Sequence, residues 1–156
     1  MKSILRLVIS YLMIFCTPFL SALLTLGPYA WASHQQDYMI GIMVHAEINL
    51  AIIAVQIVGI LLYFHEYEKN QMNMLGAQIT FILSLLLILW GTFVTIITLG
   101  FYGELIDWSR MTGVRELMVW DHLEYGSWAS KGTLWIISGF LLAITSNRTM
   151  ESKKTL

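Results

Sequence analysis

The stretch MIGIMVHAEINLAIIAVQIVGILLYF, residues 39–64, decides how this chain folds. It is almost unbroken apolar sequence with His45, Glu47, Asn49 and Gln56 set into it. A helix needs about 20 mostly apolar residues to cross the hydrocarbon core of a bilayer. The stretch therefore reads as a membrane span carrying polar groups that hydrocarbon cannot solvate. Groups that expensive face protein, water or a ligand, and they mark a site or a packing contact. At about 100° per residue, His45, Asn49, Ile52, Gln56, Gly59 and Tyr63 share one face. Glu47 lies about 200° round from His45 and turns toward a different neighbour, with Ala51 and Ala54. A helix with two such faces belongs in the middle of a bundle.

Three more stretches qualify as spans: 5–26, 76–101 and 126–146. The chain has 156 residues, 57% hydrophobic and 12% charged, too apolar for a soluble domain of that length. The expected architecture is all-α: a four-helix integral membrane bundle, one transmembrane domain over 1–156. The first apolar stretch is nearer 20 residues than the 7–15 of a secretory signal, so it reads as a retained span. Cys16 lies within it and reads as a small buried hydrophobe.

Charge orients the bundle. Lys2, Arg6, Lys69, Arg148, Lys153 and Lys154 flank one side. The other side carries Arg110, Arg115 and Lys131, offset by Asp37, Glu104, Asp107, Glu116, Asp121 and Glu124. The positive-inside rule predicts both termini in the cytoplasm, and the brevity of the chain points to a multi-pass protein of a bacterial inner membrane. A formal net charge of −1 leaves no footprint for direct nucleic-acid binding.

Small and hydroxyl residues supply packing faces. Ser10, Thr17, Ser21 and Thr25 align on the first span, which Pro18 should bend with local re-satisfaction of the freed carbonyl. Thr80, Ser84, Gly91, Thr95 and Thr98 align on the third, and Gly132, Gly139, Ala143 and Ser146 on the fourth. Ser84, Gly91, Thr95, Gly139 and Ala143 are the expected contacts, either within one bundle or between copies in a homo-oligomer. The connection 102–131 is the one long loop. Its alternating Val114, Leu117, Met118, Trp120 and Leu123 predict a short amphipathic helix on the outer interface, anchored by Trp108, Trp120 and Trp128.

Chemistry-bearing constellations are sparse. A bis-histidine haem needs two imidazoles at one depth, yet His34 and His122 fall in loops, His65 at an inner helix end, and only His45 within a span. His45 and Glu47 diverge, so they do not chelate one ion. Phosphate loops, zinc-protease motifs and nucleophile elbows do not occur in the sequence, and Ser130 near His122 lacks the geometry of a site. The expectation is no catalytic residue, no metal and no cofactor. The polar seam His45, Glu47, Asn49 and Gln56 remains the candidate site.

By helix number and length alone the chain resembles the small polytopic subunits of bacterial defence, exclusion and immunity systems, such as the membrane component of the Kiwa antiphage system. That likeness carries no residues across. It implies a non-enzymatic sensor or scaffold subunit that oligomerises in the lipid bilayer and relays a signal to a soluble cytoplasmic effector. His65, Glu66, Glu68, Lys69, Arg148, Lys153 and Lys154 would be its contact surface. The alternatives are a proton or cation channel or transporter subunit using Glu47 and His45, and a haem-b electron-transfer subunit.

Overall fold

The computed structural model describes residues 2–25, 38–67, 74–112 and 119–154. All of these are helical apart from Cys16. The helices are α1 (Lys2–Phe15), α2 (Thr17–Thr25), α3 (Tyr38–Tyr67), α4 (Met74–Thr112) and α5 (Val119–Lys154). Three are long and apolar enough to cross a membrane, over Met43–Tyr67, Met74–Asp107 and His122–Lys153. The bent pair Ile4–Phe15 and Thr17–Leu24 makes a fourth if the two are one span.

The break between α1 and α2 has a local cause. Pro18 has no N–H to donate to the Ile14 carbonyl four residues back, and its ring crowds the preceding turn. The axis bends by 46° there, and the Thr17 hydroxyl reaches the Ile14 carbonyl at 2.8 Å. Backbone bonds persist across the break, Cys16 to Leu12 at 3.0 Å and Leu20 to Cys16 at 2.9 Å. Cys16 is exposed and not buried, since its helical phase lies about 120° from the inward stripe of Ser10, Ile14, Thr17 and Ser21.

The packing order follows from which faces carry small residues. α4 lies mainly against α5, α5 also against α3, and α3 against α1 and α2. Glycine sets the α4–α5 distance: a Cβ on Gly91 would stand 2.6 Å from the Gly132 carbonyl, and one on Gly139 2.7 Å from the Ser84 carbonyl. The small-residue faces that could have joined separate copies are thus spent inside one bundle. Ser84, Gly91 and Gly139 are buried, and Thr95 and Ala143 half-buried. At one end α1 meets α4 through Tyr11 Oη and Thr80 Oγ1, 2.9 Å apart.

The connection 102–131 begins and ends as helix, since α4 continues to Thr112 and α5 begins at Val119. Val114, Leu117 and Met118, the core of the expected interfacial helix, lie outside the described residues. α4 extends because Gly91, Val94, Thr98, Tyr102 and Leu105 form one inward stripe. Tyr102 hydrogen-bonds His122, and its ring lies 5.4 Å from that of Tyr125. Of the three expected tryptophan anchors, Trp128 packs inside the bundle, while the side chains of Trp108 and Trp120 lie outside the described residues.

The bundle is apolar outside and polar within. Phe19, Leu23 and Leu89 are among the most exposed side chains, while Ser10, Thr17, Ser21, Asn49, Gln56, Glu66, Ser127, Lys131 and Ser138 are buried beside Ile14, Ile52, Tyr63 and Trp135. Among lipids, helices associate by close packing and hydrogen bonds, without a hydrophobic drive. The Gly91→Ala variant should therefore lose about 1–3 kcal/mol by overpacking. Gly100 has nothing within 4 Å of its would-be Cβ, so Gly100→Ala should hold or gain up to about 1 kcal/mol in helix propensity. Chemical unfolding in detergent micelles measures both.

Candidate functional site

The polar face of α3 runs from His45 to Glu66 over 21 residues, a rise of about 32 Å at 1.5 Å per residue. That matches the roughly 30 Å hydrocarbon core. Three layers of polar contacts lie along it.

The outer layer centres on Lys131. Its side chain is buried, with 1% of the residue exposed. The ammonium donates to Ser21 Oγ at 2.5 Å and to Asn49 Oδ1 at 2.6 Å. It also stands 3.5 Å from the centroid of the Trp128 ring and 5.5 Å from that of Trp135. Among the described residues no carboxylate lies within ion-pair distance of it. Two neutral oxygens and an aromatic face thus take the place of a counter-ion, each a weaker partner than a carboxylate. Asn49 is fixed in turn, its amide donating to Ser127 Oγ at 3.1 Å, and Ser127 donates to the Glu124 carbonyl at 2.7 Å. His45 Nδ1 lies 2.8 Å from Glu124 Oε1 one layer further out.

The middle layer is neutral. Thr17 Oγ1 lies 2.6 Å from Gln56 Oε1 and accepts from Trp135 Nε1 at 3.0 Å. The Gln56 amide donates to Ser138 Oγ at 3.0 Å. One hydroxyl proton on Thr17 serves either Gln56 or the Ile14 carbonyl, which couples the bend in the first span to the buried glutamine.

The inner layer is aromatic and then ionic. Tyr63 Oη lies 3.1 Å from Thr145 Oγ1, and Tyr67 donates to the Thr145 carbonyl at 3.0 Å. The Tyr11 ring meets Tyr63 edge-on at 5.7 Å. Below them Arg6 Nη1 lies 3.3 Å from Glu66 Oε1. Among the described residues, Ser146 Oγ is buried with no hydrogen-bond partner.

Of the expected seam, His45, Asn49 and Gln56 face this interior. Glu47 does not join them and is exposed on the opposite side, as its angular offset requires. Ala51 and Ala54 are exposed with it, so α3 turns only one of its polar faces to neighbours within the chain. Of the expected cytoplasmic contacts, His65, Arg148 and Lys153 are exposed. Glu66 is not a surface group, being 1% exposed and held by Arg6. Glu68, Lys69 and the Lys154 side chain lie outside the described residues. Ser130 and His122 are both exposed and eight residues apart on one helix, so the structure does not pair them. Among the described residues no group of three or more His, Cys, Asp or Glu is placed to hold a metal ion.

Lys131 is the residue that sequence reasoning misplaced. It sits inside the apolar stretch 126–146 yet reads as one more charge on the outer side. The signal was its phase: Ser127, Lys131, Trp135, Ser138, Leu142 and Ser146 recur every three to four residues and are all buried.

No known protein family, no curated protein and no solved structure matches the chain. Its geometry therefore has to carry the functional argument.

The Lys131–Asn49 bond yields a direct test. Asn49→Leu strips an acceptor from a buried ammonium and should cost about 1.5–3 kcal/mol, the range for hydrogen bonds to charged groups. Adding Lys131→Met removes the stranded charge, so the double variant should recover most of that loss. A double-mutant cycle by unfolding in detergent reads the coupling, and simple additivity would show that the two side chains act independently.

Proposed function

We propose that the chain is a non-enzymatic sensor or scaffold subunit of a bacterial inner membrane, a four-span bundle with both termini cytoplasmic. In this reading it assembles with further copies of itself and relays a membrane signal to a soluble cytoplasmic partner, as subunits of antiphage-defence, exclusion or immunity systems do. The observation that carries it is the position of Glu47. This carboxylate is exposed on α3 between Ile40 and Leu50, which are 47% and 49% exposed. A bare carboxylate flanked by lipid-facing side chains is costly, and such groups turn toward protein or water.

What would cover it is set by its neighbours. Glu47, Ala51, Ala54, Val58, Leu61 and His65 recur at intervals of four, three, four, three and four residues, and all are exposed. That is the 3.5-residue period of a left-handed helix pair, with alanines at its centre where close approach is needed. The small-residue faces of α4 and α5 are already used inside the bundle, which leaves this seam of α3 to join copies. Exposed His65, Arg148 and Lys153 then offer a mixed polar surface to a cytoplasmic partner.

Cysteines at Ala51 or Ala54, in a Cys16→Ser background, should form disulfide-linked dimers in native membranes. A cysteine at Leu89 on the far side of α4 should not. Equal or absent linkage at all three positions, with a monomeric mass in detergent, would remove the assembly reading.

The same seam favours a second reading, in which Glu47 carboxylates from several copies line a proton or cation pathway. Glu47→Gln should then abolish flux into proteoliposomes. Flux equal to that of empty vesicles leaves the scaffold reading standing.

A further inference from the structure

α1 and α2 make no extensive contact with α4, and the space between them is a groove. Two adjoining cavities form it, of about 680 Å³ and 410 Å³, sharing Pro18, Ala22, Trp90 and Phe93. The larger is walled by Phe15, Phe19, Leu83, Leu86 and Leu89, among others, and is almost wholly apolar. The smaller continues past Val94 and Ile97 to Ser21, Glu124 and Tyr125. From Leu83 to Phe101 on α4 the groove spans 18 residues, about 27 Å at 1.5 Å per residue. It thus runs nearly the depth of the hydrocarbon.

We propose that this groove holds one acyl chain of a membrane phospholipid as a resident ligand, with the lipid's head group at the Ser21–Tyr125 end. Each cavity lies within the roughly 300–1,000 Å³ range of sites for small ligands. The polar end, one hydrogen bond from the Lys131 amine, suits a phosphate and not the apolar flank of a transmembrane helix. The walls match a chain of methylenes. An unfilled slot would forfeit the dispersion contacts of Phe19, Leu86, Trp90 and Phe93 on their inner sides, and the surrounding bilayer supplies a filler at no cost in exposure to water.

The polar end gives the slot a direction. Ser21 lines it and accepts from the Lys131 ammonium. The ammonium is a buried cation without a carboxylate in ion-pair distance among the described residues, one hydrogen bond behind the groove wall. Glu124 lines the same end, with its Oε1 turned to His45. A phosphate near Ser21 and Tyr125 would meet the field of Lys131 in a medium of low dielectric. The alanine seam of α3 is a separate surface, so the two assignments stand or fall separately.

The test uses full-length protein in phosphatidylethanolamine–phosphatidylglycerol vesicles containing a trace of phospholipid with a diazirine on one acyl chain. After photolysis, label mapped by mass spectrometry should concentrate on Ala22, Trp90 and Phe93, about tenfold over Ile96, an exposed residue of α4 outside the groove. Leu86→Trp and Ala22→Phe fill the slot from opposite walls. Each should abolish the enrichment while thermal melting and Ala54 cysteine linkage stay as in the parent protein. Label spread evenly over all lipid-facing residues overturns the proposal. So does enrichment that survives both variants, or disulfide-linked dimers formed by a cysteine at Leu86 in the Cys16→Ser background.

Discussion

A single ammonium ties three helices together. Lys131 on α5 reaches Ser21 on α2 and Asn49 on α3, with the Trp128 ring beneath it. In hydrocarbon a cation has no aqueous alternative, so the three helices must keep these oxygens in place whenever the lysine carries its charge. Asn49 is oriented by Ser127, and Ser127 by the backbone of its own helix. The geometry of the outer half thus follows from one residue's need for acceptors. The middle layer repeats the arrangement with neutral groups, Thr17, Gln56, Ser138 and Trp135, which specify register without the cost of charge.

The inner half is held differently. Arg6 and Glu66 tie the start of α1 to the end of α3, and a tyrosine cluster fills the level above them. The Pro18 break separates these two regimes. On one side of it the first span belongs to an ionic and aromatic contact, and on the other to the lysine. α4 takes little part in either network, being held mostly by glycine-mediated backbone approach to α5. That division leaves a gap beside α2.

Helical character, the places of three long apolar helices and the inward face of α3 were legible because each follows from periodicity, which one chain displays by itself. His45, Asn49 and Gln56 share a phase, and that phase turned inward. The bend at Pro18 and a local re-satisfaction of the freed carbonyl were legible for the same reason; that the Thr17 hydroxyl performs it came from the structure. Two things were not. Whether Ser84, Gly91 and Gly139 pack within a chain or between chains depends on pairings of helices, which no single helix encodes. Lys131 was misread because a positional charge rule outweighed the phase of its own helix, where Ser127 and Ser138 already marked the buried stripe. The connection 102–131 was legible only in part: a long loop was expected where α4 runs on to Thr112 and α5 starts at Val119, because the inward stripe of α4 continues through Tyr102 and Leu105.

The length of α4 has a mechanical consequence. Its 39 residues rise about 58 Å, some 15 Å more than a bilayer with its head groups. α5 runs alongside it, and the Tyr102–His122 bond clasps the two. They form a stiff mast, with Glu104 and Asp107 exposed toward its tip. Because helical backbone does not fold under a sideways push, a load at the tip is delivered as torque to the glycine bearing at Gly91 and Gly132.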